Sequence, residues 1–134
     1  MSFKIPVANL ILNAFRGQPF SLTGLYVGLF TSDPGNDGDS VGHEVVGGSY
    51  ARVPVSFGDP QSGWMKNTAT LTFPKATANW GTVTHVCLCS ALTGGQVHIS
   101  GSLISSVAIV TGQTAQIQNF FVYAVAATPS SSTP

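Results

Sequence analysis

The chain has 134 residues, enough for one domain with a sizeable core and too few for two ordinary ones. Only 7% of its residues are charged, against about 25% in an ordinary soluble protein, and five basic side chains balance five acidic ones. Such a chain lacks the basic stripe that nucleic-acid binding requires and has little repulsion to keep copies apart, which points to a protein that assembles with neighbours.

The chain opens on a helix pattern. Pro6 suits a first turn, Val7, Ala8, Leu10, Ile11, Leu12 and Phe15 form a wide apolar face, and Gly17 stops it. Asn9, Asn13 and Arg16 interrupt the apolar run and no cleavage-like stretch follows, so it does not read as a signal peptide. Two roles fit the helix: a cap over the open end of a β-sandwich, or a docking arm. No stretch reaches the run of about 18 apolar residues that a membrane span requires.

Beyond residue 23 the signals are β. "GLYVGLF" sets Leu25, Val27 and Leu29 against Tyr26, Gly28 and Phe30, apolar on both faces as in a central strand. "TSDPGNDGDSVG" reads as a long exposed loop. "YARVPVSF" alternates again, and Pro54, which has no ladder donor, predicts an edge strand or a bulge. "GDPQSGWMKN" reads as a loop, and "TATLTFP" as a short strand with Leu71 and Phe73 inward. "TVTHVCLCSA" and "QVHISGSL", joined by "LTGG", carry a hairpin signal that pairs Ala91 with Gln96. "LISSVAIV", the turn "TGQT" and "AQIQNFFVYAVA" read as a last strand pair. The fold expected is an all-β antiparallel sandwich or jelly roll with one short N-terminal helix. Its divisions are a helical arm (1–17), the sandwich domain (18–126) and a Ser/Pro/Thr-rich tail (127–134).

Few constellations point to chemistry. Asp33, Asp37, Asp39 and Glu44 crowd one glycine-rich loop, as oxygen ligands for calcium would, but their spacing matches no EF-hand, and a solvated acidic turn is the simpler reading. His85, Cys87 and Cys89 share one strand face, and the expected hairpin sets His98 opposite Cys89. Positions i and i+4 on a strand lie about 13 Å apart, too far for one zinc ion with bonds of about 2.0–2.3 Å. The two cysteines sit too close on one strand for an easy bridge, so reduced thiols and a cytoplasmic place of synthesis are expected. No Gly-x-Ser-x-Gly elbow, phosphate loop or fixed carboxylate pair is present. The chain reads as a non-enzyme with no cofactor and no resident metal. Glu44 and Arg52 flank Gly47-Gly48 and can pair if the glycines fold the loop back. A surface Arg52 contacting a partner is the alternative.

The ordered blocks "LYVGLFTSDPG", "HEVVGGSYARVPVSF" and "NTATLTFPKATANWGTVTHVCLCSALTGG" resemble a family of small tailed-phage virion proteins, across residues 25–101 and the leading helix. Its members are labelled tail-fibre or virion structural proteins, and some relatives look like capsid decoration (cement) proteins. The resemblance implies a sandwich subunit without catalytic residues, and the related cement proteins imply a homotrimer. The expected function is capsid decoration: a virion component on the capsid exterior, bridging subunits of the major capsid protein. A tail or tail-fibre component is the first alternative, and a carbohydrate-binding β-sandwich module the second. The expected contacts are Leu10, Ile11 and Phe15 of the helix, Arg52, Trp64, the acidic loop and the C-terminal tail, while Trp80 serves either the interface or the core.

Overall fold

The computed structural model describes residues 2–22 and 24–124. The expected tail (127–134), and the contacts assigned to it, lie outside the described residues. The order is β1 (Ser2–Phe3), α1 (Ile5–Phe15), β2 (Tyr26–Phe30), β3 (Val53–Pro54), β4 (Trp64–Lys66), β5 (Leu71–Thr72), β6 (Gly81–Cys89), β7 (Val97–Ile109), β8 (Gln116–Ile117) and β9 (Phe121–Tyr123). All pairings are antiparallel. One sheet runs β1-β7-β6-β2-β3, and two small sheets, β4-β9 and β5-β8, form the second layer. The protein is therefore all-β with one short N-terminal helix.

The core lies between the layers. Val27, Leu29, Val86, Leu88 and Ile99 of the large sheet pack with Leu71, Phe73, Trp80 and Val122. Alternation drives this, since every second residue of a strand faces the same side. Leu71 and Phe73 point inward, and Pro54 stands on an edge strand, where its missing donor leaves no ladder bond broken. The other face of the sheet carries a smaller apolar cluster of Phe30, Cys87, Cys89 and Val97.

Four expectations from the sequence need correction. The "TSDPGNDGDSVG" segment is not simply an exposed loop: Pro34, Gly38 and Ser40 are buried, and the Gly38 carbonyl accepts from Val97 N–H at 2.9 Å. A Cβ on Gly38 would stand 2.6 Å from the Val97 carbonyl, so only glycine permits this approach. "GDPQSGWMKN" is not wholly loop, because Trp64–Lys66 pairs with Phe121–Tyr123. The hairpin register differs as well: Ser90 exchanges its bonds with Gln96, and Cys89 stands opposite Val97, not His98. An irregularity between Leu88 and Cys89 supplies the shift. Finally, "QVHISGSL" and "LISSVAIV" are one strand, β7, and the segment after it crosses to the other layer instead of pairing back. Residues 103–106 of β7 stand opposite Thr84 alone, a large bulge that hides the continuity.

Candidate functional site

Among the described residues, side-chain polar groups gather most densely around the loop between β2 and β3. After Phe30 the chain crosses the face that holds the cysteines, then returns at Glu44, which bridges Phe30, while Val45 N–H donates to the Leu29 carbonyl at 3.1 Å. Gly47, Gly48 and Ser49 all have positive φ (80°, 60° and 65°) and turn the chain outward and back. The excursion is clamped: Trp80 Nε1 donates to the Gly48 carbonyl at 2.8 Å, and Thr77 N–H donates to it at 3.0 Å. Trp80 is buried, and Tyr50 packs edge-on against it at 5.3 Å between ring centroids.

This path brings Glu44 and Arg52 together. Arg52 Nε and Nη2 each donate to a Glu44 carboxylate oxygen at 2.8 Å, a bidentate pair. Arg52 Nη1 also donates to the Ala91 and Gly94 carbonyls of the β6–β7 turn, at 2.7 and 2.8 Å. The Tyr50 hydroxyl donates to Glu44 and accepts from Leu29 N–H at 3.0 Å, beyond the end of the short β3. Burial and the Glu44 carboxylate raise the Tyr50 pKa, and the Glu44 hydrogen bonds raise that of Arg52, so both partners keep their charge state across ordinary pH. Gly28 makes room for the group: a Cβ there would lie 2.8 Å from Glu44 Oε2 and 3.0 Å from the Tyr50 hydroxyl. Arg52 is 5% exposed, so a partner contact through its guanidinium, the alternative raised from the sequence, has no surface to act through.

A second polar group holds the junction of β1 and α1. Lys4 is fully buried, its Nζ donates to Asp33 at 3.1 Å, and Ser100 Oγ donates to the same carboxylate oxygen at 2.7 Å. These hydrogen bonds, that of Ser100 foremost, lower the Asp33 pKa. His98, also buried, has its pKa lowered by desolvation.

The calcium candidates are not gathered around a common point. Asp33 holds Lys4, Asp39 Oδ1 accepts from Val41 N–H at 3.0 Å, Glu44 holds Arg52, and Asp37 lies exposed. Among the described residues no group of three His, Cys, Asp or Glu side chains is placed to hold a metal ion. Cys87 and Cys89 are free and buried, and burial pushes the Cys89 thiol up to about 12 and raises Cys87 further. Both are inert thiols packed under the loop.

The helix presents its apolar side outward. Val7 is buried and Ile11 half-buried, while Ile5, Leu10 and Leu12 are exposed and Phe15 is 86% exposed. Helix α1 has no acidic residue in its first turn and no basic residue in its last. No helix among the described residues is long and apolar enough to cross a membrane. Trp64 is half-buried, packed edge-on against Phe121 at 5.6 Å. Sequence reasoning did not single out Lys4, Asp33 and Ser100 as a group, nor Tyr50; the only signal was a tyrosine lying between the two charges of the Glu44–Arg52 stretch.

Fold and site together define a small antiparallel β-sandwich whose gathered polar groups brace its loops, the kind of subunit the sequence blocks resemble. A family model described as podophage GP4 fiber I protein gp80 matches residues 3–122. The chain belongs to that family and is thus a tailed-phage virion structural protein related to tail fibres. No curated protein matches the chain.

Proposed function

We propose that the chain is a non-enzymatic subunit of the tail-fibre region, held to a neighbouring virion protein through the outer side of α1. The observation that carries this is the exposure of Ile5, Leu12 and Phe15 on a helix whose only buried residue is Val7. Burial of apolar surface yields about 25 cal/mol per Å² before association costs, so three large side chains supply a useful part of a docking energy. The word "fiber" in the family description supports the location. The braced loops suit a subunit that keeps its shape under load, with the Glu44–Arg52 pair setting loop geometry more than adding stability.

Capsid decoration, with the major capsid protein as partner, is the second reading. One compact sandwich without internal repeats suits a capsomer-bridging cement better than a fibre shaft. Copy number separates the two: quantitative mass spectrometry of purified virions should give a handful of copies for a fibre and hundreds for a cement. A Leu12→Lys, Phe15→Lys double variant should remain folded and be lost from particles. Full incorporation of that variant would sink helix docking at either location.

A further inference from the structure

The large sheet ends differently at its two sides. At the β7 side, β1 covers only Ile99 and Ser100. From residue 101 to 109 the outer edge of β7 has no strand beside it among the described residues. Residues 103–106 lack a partner on β6 as well, because they stand opposite Thr84 alone. Backbone hydrogen bonds from loops and turns do not reach residues 102–108 among the described residues.

Proteins blunt such edges with lysine, proline or a covering loop, because unpaired N–H and C=O groups are a template for another strand. Among the described residues none of these devices is present on β7, whose one irregularity along this edge is the bulge at 103–106. The β7 sequence VHISGSLISSVAI contains no Lys, Arg, Asp, Glu or Pro. Ile104 is fully exposed and Val107 about half exposed. Alongside, Leu103, Val107 and Ile109 join Leu29, Val83 and Val86 in lining a cleft of about 470 Å³.

We propose that the free edge of β7, residues 101–109, pairs antiparallel with the same edge of a second copy of this chain. A row of backbone donors and acceptors selects an extended strand as its occupant. Antiparallel pairing about a two-fold axis is self-complementary, each strand meeting its own sequence. The absence of charge on β7 leaves no like-charge opposition across that axis, and the zero net charge of the chain adds no long-range repulsion. The cleft gives the partner's apolar side chains room on the core side of the joined sheet. Nine residues span only about 30 Å of edge, less contact than a standard interface offers. The pairing is therefore weak in free solution and gains strength where a particle holds copies close together.

Sedimentation velocity on the full chain, from roughly 10 µM to 1 mM to bracket a weak interface, tests this. The expected result is a rise from monomer to dimer mass, with hydrogen exchange slowing at residues 102–107 as dimer forms. Ile104→Lys, at a fully exposed position, should keep the fold and return the chain to monomer mass; Ser106→Lys, also exposed, is the second variant. A chain that stays monomeric throughout overturns the proposal. So does a dimer, or a trimer, whose mass both variants leave unchanged. Neither variant alters Leu12 or Phe15, so failure here and failure of helix docking are read separately.

Discussion

At one edge of the large sheet, a two-residue strand ending in Pro54 is backed by Arg52, which reaches Glu44 and two carbonyls of the β6–β7 turn. At the other edge, nine residues of β7 have no strand beside them among the described residues, and carry no charge and no proline. A chain with only ten acidic and basic side chains places two of them at the first edge, and uses Lys4 and Asp33 to secure β1 at the start of the second. The scarce charges thus act as internal fasteners. An edge closed by such fasteners is fixed in shape, whereas an edge left bare is suited to acceptance of another strand.

Arg52→Ala is the strongest way to break the closed edge. It strands the Glu44 carboxylate, whose side chain is 14% exposed, and losing one partner of a buried pair costs about 3–5 kcal/mol. Urea unfolding should show a fall of that size, and Arg52→Lys, which cannot make the bidentate pair and also reach the turn, should recover only part of it. Gly28→Ala is next, because its Cβ would press on Glu44 and the Tyr50 hydroxyl; overpacking of this kind costs about 1–3 kcal/mol. Tyr50→Phe keeps the ring and orphans Leu29 N–H, a loss of about 1–2 kcal/mol by the same measurement.

Acidity sharpens the comparison at the β1–β7 corner. His98 has a folded pKa below its ordinary 6.5, so the unfolded chain binds its proton first and stability falls as pH drops below that value. Asp33 is held below 3.8, so its contribution, present above that value, is lost as pH falls further through the folded pKa. Melting temperatures should therefore decline in two stages on acidification, and His98→Gln should flatten the upper stage only. The smallest stability effect belongs to Ile104→Lys, within about 0.5 kcal/mol of the parent because the site is exposed. A large loss of stability there would mean that the β7 edge is not open.

How much of this was legible in the sequence follows from the strength of each local signal. The alternation around Leu71 and Phe73, the two-sided apolar pattern of β2 and the single proline of β3 each state their position directly. Strand β1 has only two residues and no period to read, and Lys4 is a residue type that normally lies outside. Continuity through β7 was hidden because Gly101 and the serines beyond it resemble a turn, while the β6 pairing that shows them to lie in one strand resumes only at Val107, past the unpaired residues 103–106. The polar group around Glu44 needed Tyr50, whose ring belongs to the core and whose hydroxyl serves the edge. A tyrosine with two such roles gives no local pattern.

The burial of Lys4 has a mechanical consequence. Helix α1 is joined to the sandwich at its start by the two residues of β1, the Lys4–Asp33 bridge and the Lys4 N–H bond to the His98 carbonyl. A tug on the outer side of the helix is thus passed through Lys4 and the two residues of β1 to β7 and to Asp33, so that the strand pairing and the buried ion pair share the load. The segment Ser2–Lys4 is in effect a short anchor cable made fast to the edge of the sheet, with the Lys4 side chain as its buried cleat.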